Sequence, residues 1–267
     1  MKEYINKAWA ILLYSWKDFF EYRGYLLFWI VMGSQSFFIM YFLWMFVYRD
    51  NQIVSGFTLS AMITYYFVAY FVKEFTSTYF DWNIMIKIND GLFSHFFYRP
   101  MTHRMYYMFH NIGEKTVRFI VFTPVLLFLY FLIKDYFIEP VPGAWPYIII
   151  SFILSFFMTC YFTFIMGYTA FWTEKSETII YFKDSLVFYL SGAMVPLALF
   201  GEKIANFLKL LPFRYFISFP IEIYLGKLTG LEMSQGFLVA FTWLIVLIIL
   251  ERLIFKKGAK RFSAVGN

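Results

Sequence analysis

The stretch GYLLFWIVMGSQSFFIMYFLWMFVY, residues 24–48, contains 25 residues and no charged side chain. Because an α-helix rises about 1.5 Å per residue, a helix of this length crosses a hydrocarbon core about 30 Å thick. One such stretch would also fit a helix in the core of a soluble protein. About six of them occur along the chain, and this repetition predicts a protein embedded in a membrane.

The composition supports the same interpretation. The chain is 61% hydrophobic and 15% charged, whereas soluble domains are about 45–50% apolar and about 25% charged. We therefore predict an all-α membrane protein with a single transmembrane domain over residues 1–267. The six predicted transmembrane helices are residues 25–47, 57–79, 117–133, 145–172, 179–199 and 237–250.

Residues 1–23 have the spacing of an amphipathic helix. Trp9, Leu13, Trp16 and Phe20 follow one another at intervals of three or four, and charged residues occupy the other side. A helix of this kind can lie in the plane of the membrane interface with its tryptophans at head-group level. The alternative is an ordinary helix packed against another part of the protein. We expect the interfacial position, because a membrane span follows directly.

Residues 201–235, between the fifth and sixth predicted spans, form a second unusual segment. They are too polar, and too interrupted by Pro212, Pro220 and glycines, to cross a membrane, yet too apolar for a free loop. Irregular backbone at membrane depth must be buried in protein or face water. We predict a re-entrant segment of short helices.

The distribution of Lys and Arg predicts the orientation. If the six spans alternate, 16 of the 23 basic residues fall in the segments on one side and six on the other. Cytoplasmic loops carry an excess of Lys and Arg, so both termini are predicted to be cytoplasmic in a multi-pass protein of the cell (inner) membrane. The net charge of +6 is then explained by these loops and by anionic membrane lipids, and we expect no nucleic-acid partner.

Motifs of catalytic or metal chemistry are missing from the sequence. It contains no GxxxxGK[ST], HExxH, CxxC or GxSxG pattern. His95, His103 and His110 are eight and seven residues apart, with no Cys or carboxylate cluster nearby, so we predict no metal site. The spans also lack the His, Asp and Glu chains of proton-coupled carriers. We expect neither catalytic residues nor a cofactor in this chain.

Two further stretches resemble a known family. NDGLFSHFFYRPM, residues 89–101, is similar to the acidic-Gly-Leu segment that follows the second span in membrane subunits of ABC-2 type transporters. SGAMVPLALFGEKIANFLKLLPFRYFISFP, residues 191–220, is similar to a second signature of that family. The matching positions in the second stretch are Gly192, Pro196, Pro212 and Tyr215. Gly91, Leu92, Arg99 and Pro100 also resemble a bacterial subfamily whose permeases are usually paired.

The resemblance implies a permease subunit of an ATP-driven exporter, forming half of the substrate path. ATP and Mg would bind to a separate dimer of ATPase subunits, and a second permease chain, unlike or like this one, would complete the path. Residues 81–113 would be the cytoplasmic loop that carries the coupling helix. The residues expected to contact the ATPase are Asn89, Asp90, Gly91, Leu92, Phe93, His95, Phe96, Arg99 and Pro100.

Within this loop, specific roles can be assigned to several residues. Asp90 is expected to cap the start of the coupling helix. Phe93, Phe96 and Phe97 would supply apolar contact area, with polar residues at the rim. The alternative is a loop that only anchors the spans to lipid head groups.

The substrate path is less well defined by the sequence. Tyr65, Tyr66, Tyr70, Phe188 and Tyr189 are candidates for a central aromatic cleft, although interfacial belts and packing explain most aromatic residues of membrane proteins. The substrate, whether drug, lipid or glycan, stays open. The alternative functions are a small carrier or channel that needs no ATPase, and an assembly factor that only binds partners.

Overall fold

The computed structural model describes residues 2–21, 23–50, 52–98 and 101–262, and these residues are almost entirely helical. No β-strand forms within these ranges; an isolated bridge joins Val54 and Phe57. The helices are α1 (Lys2–Glu21), α2 (Arg23–Val47), α3 (Leu59–Thr76), α4 (Phe80–Asn89), α5 (His95–Tyr98), α6 (His103–Ile133), α7 (Trp145–Gly167), α8 (Ser176–Leu190), α9 (Glu202–Leu208), α10 (Ser218–Tyr224) and α11 (Gly230–Arg261). Short 3₁₀ turns cover Leu92–Ser94, Tyr168–Phe171, Leu197–Phe200 and Pro212–Phe216.

Threonines define where three of the helices begin. The Thr58 hydroxyl accepts a hydrogen bond from the Ala61 N–H at the start of α3, and Thr102 does the same at the start of α6. At the start of α11, Thr229 and Glu232 exchange side-chain and backbone hydrogen bonds in a capping box. These caps satisfy backbone N–H groups that have no partner inside the helix.

Among the described residues, three helices are long and apolar enough to cross a membrane: His103–Ile133, Trp145–Phe171 and Gly230–Arg261. The stretch Met32–Val47 is also apolar but shorter. The protein is therefore a helical membrane protein, and the count of six spans stays a prediction.

Several helix boundaries differ from the predicted spans; α11, for example, runs from Gly230 to Arg261 and extends beyond 237–250 at both ends. Helix α6 begins at His103, well before residue 117, because its charges find partners: Arg118 contacts Glu74 of α3 at 3.3 Å and Glu114 at 2.7 Å. Helix α8 ends at Leu190 rather than near 199, since Gly192 has a φ of +85° that turns the chain. Hydropathy alone predicts neither the ion pairs of Arg118 nor the turn at Gly192.

Two groups of buried side chains form the core. The larger lies among α2, α3, α6, α7 and the segment 215–224. The smaller joins α4 to the ends of α6, α7 and α8, and includes Phe80, Ile84, Phe93, Tyr107 and Phe164. The smaller group brings the beginning of α6, the end of α7 and the last turns of α11 to one end of the protein, which we call the α4 end.

Helix α1 packs along the first half of α6. The Trp16 indole N–H donates to the Thr116 hydroxyl at 2.8 Å. On the remaining surface of α1, Trp9 is 60% exposed and Phe20 is 52% exposed. One side of the predicted amphipathic helix is thus bound to protein, and the apolar side chains left exposed fit the predicted interfacial position.

Candidate coupling surface and two cavities

The 89–98 segment begins with a turn at Gly91. Helix α4 ends at Asn89, and the Asp90 backbone N–H bonds to the Ile86 carbonyl at 2.9 Å. Gly91 then adopts a φ of +73°, which side chains with a Cβ rarely tolerate. The expectation that Asp90 caps the next helix is therefore wrong: Asp90 closes α4, and Gly91 holds the capping position without a side-chain bond.

Phe93 anchors this segment in the protein interior. Its side chain is fully buried, and its ring lies 5.4 Å from that of His103, 5.7 Å from Phe171, 6.3 Å from Phe255 and 6.2 Å from Phe262. Phe93 was expected to supply contact area for a partner, and its burial contradicts that role. The side chain instead ties the turn to the ends of α6, α7 and α11.

The outer surface of the segment carries three exposed apolar or aromatic side chains, which we call the patch. Leu92 is 48%, Phe97 49% and Tyr98 87% exposed. Asn89, Asp90 and His95 are exposed beside them. Phe96 is half-buried, with its ring 5.7 Å from Tyr106. Arg99 and Pro100 lie outside the described residues.

A buried polar network lies directly behind Phe93. The Arg104 Nε donates to Glu251 Oε1 at 2.6 Å, and the Tyr168 hydroxyl donates to the same oxygen at 3.0 Å. His103 Nε2 lies 2.5 Å from the Tyr168 hydroxyl oxygen. Sequence analysis missed this network. Its only signal was a carboxylate, Glu251, at the end of a long apolar stretch.

The 191–216 segment is held by hydroxyl groups at the opposite end of the protein. The Tyr65 hydroxyl donates to the Gly192 carbonyl at 2.8 Å. The Tyr215 hydroxyl donates to the Lys209 carbonyl at 2.8 Å. Pro196 and Pro212 are buried, and each precedes or begins a 3₁₀ turn. The four residues of the second resemblance thus shape one compact turn region.

The aromatic residues predicted for the path do not share one cleft. Tyr66 is buried and donates to the Met194 carbonyl at 2.8 Å, and Tyr70 is buried in the larger core group. These two positions contradict the expectation of side chains facing an open cleft. Phe188 is 40% exposed and lines a cavity, whereas Tyr189 is 52% exposed outside it.

The Lys227 cavity lies against the 191–216 segment and has a volume of about 430 Å³. Lys227 donates to the Gly56 carbonyl at 2.6 Å, and its Nζ is 4.3 Å from the centre of the Phe57 ring. The residue is exposed, but the surrounding protein removes part of the water around its ammonium group, and this desolvation lowers the pKa of Lys227. Arg214 forms an ion pair with Glu222 in the wall, and Tyr65 also lines this cavity.

The Lys73 cavity lies between α3, α7 and α8 and has a volume of about 320 Å³. Lys73, Lys183 and Asp184 bring charge to its wall, and Phe188 belongs to its apolar part. Lys183 Nζ lies 2.6 Å from Asp81 Oδ2 and 2.8 Å from Asp184 Oδ1. Lys183 and Asp184 belong to the predicted fifth span, where ionisable groups are costly, so their presence marks this cavity as a candidate binding site.

Within the described ranges, no three His, Cys, Asp or Glu side chains are grouped so that they could hold a metal ion. The three histidines have different surroundings: His95 is exposed, His103 joins the Glu251 network, and the His110 ring lies beside Tyr106.

Comparison with known proteins identifies the family. The sequence model described as ABC-2 family transporter protein matches residues 35–266, which is most of the chain. No curated protein and no solved structure matches it significantly. The chain belongs to the ABC-2 transporter family, whose members are membrane components of transporters.

Proposed function

We propose that this chain is the permease subunit of an ATP-driven exporter and that it binds its ATPase through the 89–98 segment. The family match supports the permease role. The ATPase contact is inferred from the exposed patch of Leu92, Phe97 and Tyr98. The segment that bears this patch is anchored in the protein interior by the buried side chain of Phe93. Apolar and aromatic side chains surrounded by polar ones are typical of protein interfaces.

Because Phe93 anchors the 89–98 segment in the interior, a displacement of the patch would also displace the helices that Phe93 contacts. Phe93 contacts rings from α6, α11 and the 3₁₀ turn after α7, and the Glu251 network lies behind it. A partner that moves the 89–98 segment would therefore move three helix ends together, since packed interiors transmit displacement. Coupling of ATP hydrolysis to the membrane helices would follow this path.

The orientation belongs to the same proposal. The 89–98 segment and the basic end of α11 lie at the α4 end, where Lys256, Lys257 and Lys260 are exposed. The positive-inside rule assigns this end to the cytoplasm of the cell membrane. The ATPase dimer would bind there, and a second permease chain would complete the path.

Purification tests the proposal directly. The tagged chain, extracted from native membranes, is expected to retain a P-loop ATPase and a second permease, identified by mass spectrometry. ATP hydrolysis by the complex should support export in proteoliposomes. A stable species that transports with this chain alone would contradict the proposal and favour an ATPase-independent carrier or channel.

A further inference from the structure

We propose that the Lys73 cavity binds the head group of a zwitterionic amphiphile, with the anionic group on Lys73 and the cationic group on Asp184. This inference deepens the proposed function, on which it rests, by naming the class of substrate or bound lipid. It is drawn from the arrangement of four charged side chains and of the apolar wall beside them.

Of the four charged side chains, Lys183 and Asp81 neutralise each other, and Asp184 and Lys73 each keep a charge that this pair does not balance. Lys183 is buried and contacts the fully buried Asp81 at 2.6 Å, so these two charges balance. Asp184 contacts the same ammonium group at 2.8 Å and is 39% exposed. Three groups with one positive and two negative charges leave one negative charge, which lies on the accessible carboxylate of Asp184.

Lys73 supplies the opposite charge. Its side chain lines the same cavity and is half-buried, and it forms no ion pair within 4.0 Å with any carboxylate that the structure describes. The neighbouring Glu74 is already paired with Arg118. Lys73 and Asp184 thus present one positive and one negative charge that do not contact each other across the cavity.

A zwitterionic head group matches this arrangement better than either ion alone. An anion bound at Lys73 would meet the excess negative charge of Asp184, and a cation at Asp184 would meet Lys73. Binding both charges at once gives Lys73 and Asp184 each a partner of opposite charge, so the ligand leaves neither group with an unbalanced charge inside the cavity. Ser77 and Tyr79, whose side chains carry hydroxyl groups, also line the cavity.

The rest of the cavity suits a hydrocarbon chain. Phe162, Val187, Phe188, Phe216 and Ile217 form its apolar wall. The volume of about 320 Å³ lies at the lower end of the range of about 300–1,000 Å³ that is typical of ligand pockets. It accommodates a head group and the beginning of an acyl chain, so the ligand is an amphiphile rather than a soluble zwitterion.

Native mass spectrometry of the full chain in detergent tests the site without any ATPase. The probes are dioleoyl phosphatidylethanolamine, which is zwitterionic, and dioleoyl phosphatidylglycerol, which is anionic. Phosphatidylethanolamine is expected to bind about tenfold more tightly, the scale of one charge-assisted hydrogen bond. Asp184→Asn should remove that advantage and turn the preference toward phosphatidylglycerol, because the ammonium loses its partner while Lys73 still attracts the phosphate. Lys73→Met should weaken the binding of both lipids, since both carry the phosphate.

Matched controls separate this result from general effects of charge. Lys134→Met and Asp135→Asn change exposed residues away from the cavity and should leave lipid preference unchanged. Equal binding of the two lipids by the wild-type chain would overturn the proposal. So would an unchanged preference in Asp184→Asn, or an unchanged affinity for both lipids in Lys73→Met. Because lipid binding is read on the chain alone and ATP hydrolysis on the complex, failure of the cavity and failure of the permease role give different results.

Discussion

Arg104, in the first turn of α6, places its Nε 2.6 Å from Oε1 of Glu251, a fully buried carboxylate of α11 that lies 147 residues further along the chain. This contact joins two of the long apolar helices. Phe93 packs against His103 and Phe255, the neighbours of this pair on both helices. The ion pair therefore supports the exposed 89–98 segment from behind.

The Arg104–Glu251 pair gives a prediction about unequal substitutions. Arg104→Ala leaves a buried carboxylate without its cation and should destabilise the protein by about 3 kcal/mol, the lower end for broken buried pairs because Arg104 is 30% exposed. Glu251→Gln keeps an oxygen that can accept from Tyr168 and should cost about 1 kcal/mol. Thermal unfolding in detergent measures both variants. A larger loss from Glu251→Gln than from Arg104→Ala would contradict the assigned pairing.

The turn at Gly91 gives a prediction about coupling. A β-branched residue at a φ of +73° is strained by roughly 1–2 kcal/mol, so Gly91→Val should displace the 89–98 segment and abolish stimulation of the ATPase. Asp135→Ala is the control, because Asp135 is exposed and lies outside the 89–98 segment. Stimulation of ATP hydrolysis in proteoliposomes and retention of the ATPase are the measurements. Equal activity of the two variants would show that the turn is not part of the contact.

Hydropathy predicts the long apolar helices of this protein, but it does not predict the contacts that form only in the folded chain. The long apolar stretches of α7 and α11 are evident from composition, because the bilayer requires them. The burial of Phe93 is not evident from composition, since it depends on rings such as Phe171 and Phe255, which lie far away along the chain. Asp81 and Lys183 lie 102 residues apart and meet only in the folded chain. The same holds for the partners of Tyr65, whose hydroxyl bonds to the backbone 127 residues away.

The Tyr65 contact predicts a difference between two buried tyrosines of α3. Tyr65→Phe removes a hydrogen bond to the Gly192 carbonyl and a contact with the Ser218 hydroxyl, so it should cost about 1–3 kcal/mol. Tyr70→Phe is the control: its hydroxyl is buried without a partner among the described residues, and its removal should be neutral or stabilising. The melting temperatures of the two variants measure this difference in stability. A greater loss from Tyr70→Phe than from Tyr65→Phe would contradict the proposed anchoring of the 191–196 turn.

The orientation can be tested with single cysteines. Cys160 is the one cysteine of the chain and is buried, so the background labelling should be low. Lys227→Cys is expected to react with a membrane-impermeant maleimide in intact cells, and Lys257→Cys only after the membrane is opened. Both positions are exposed in the protein, so burial does not explain a difference. Labelling of Lys257→Cys from outside would reverse the predicted orientation.

The central claim is that the 89–98 segment contacts an ATPase, and a cross-link from Tyr98 tests it most directly. Tyr98→Cys carries a maleimide–benzophenone probe on the most exposed residue of the patch, and Tyr147→Cys, exposed in the first turn of α7 at the opposite end, is the control. Irradiation of native membranes should join position 98, and not position 147, to a protein with a P-loop ATPase sequence identified by mass spectrometry. Absence of an ATPase adduct at position 98, or equal adducts at both positions, would contradict the account.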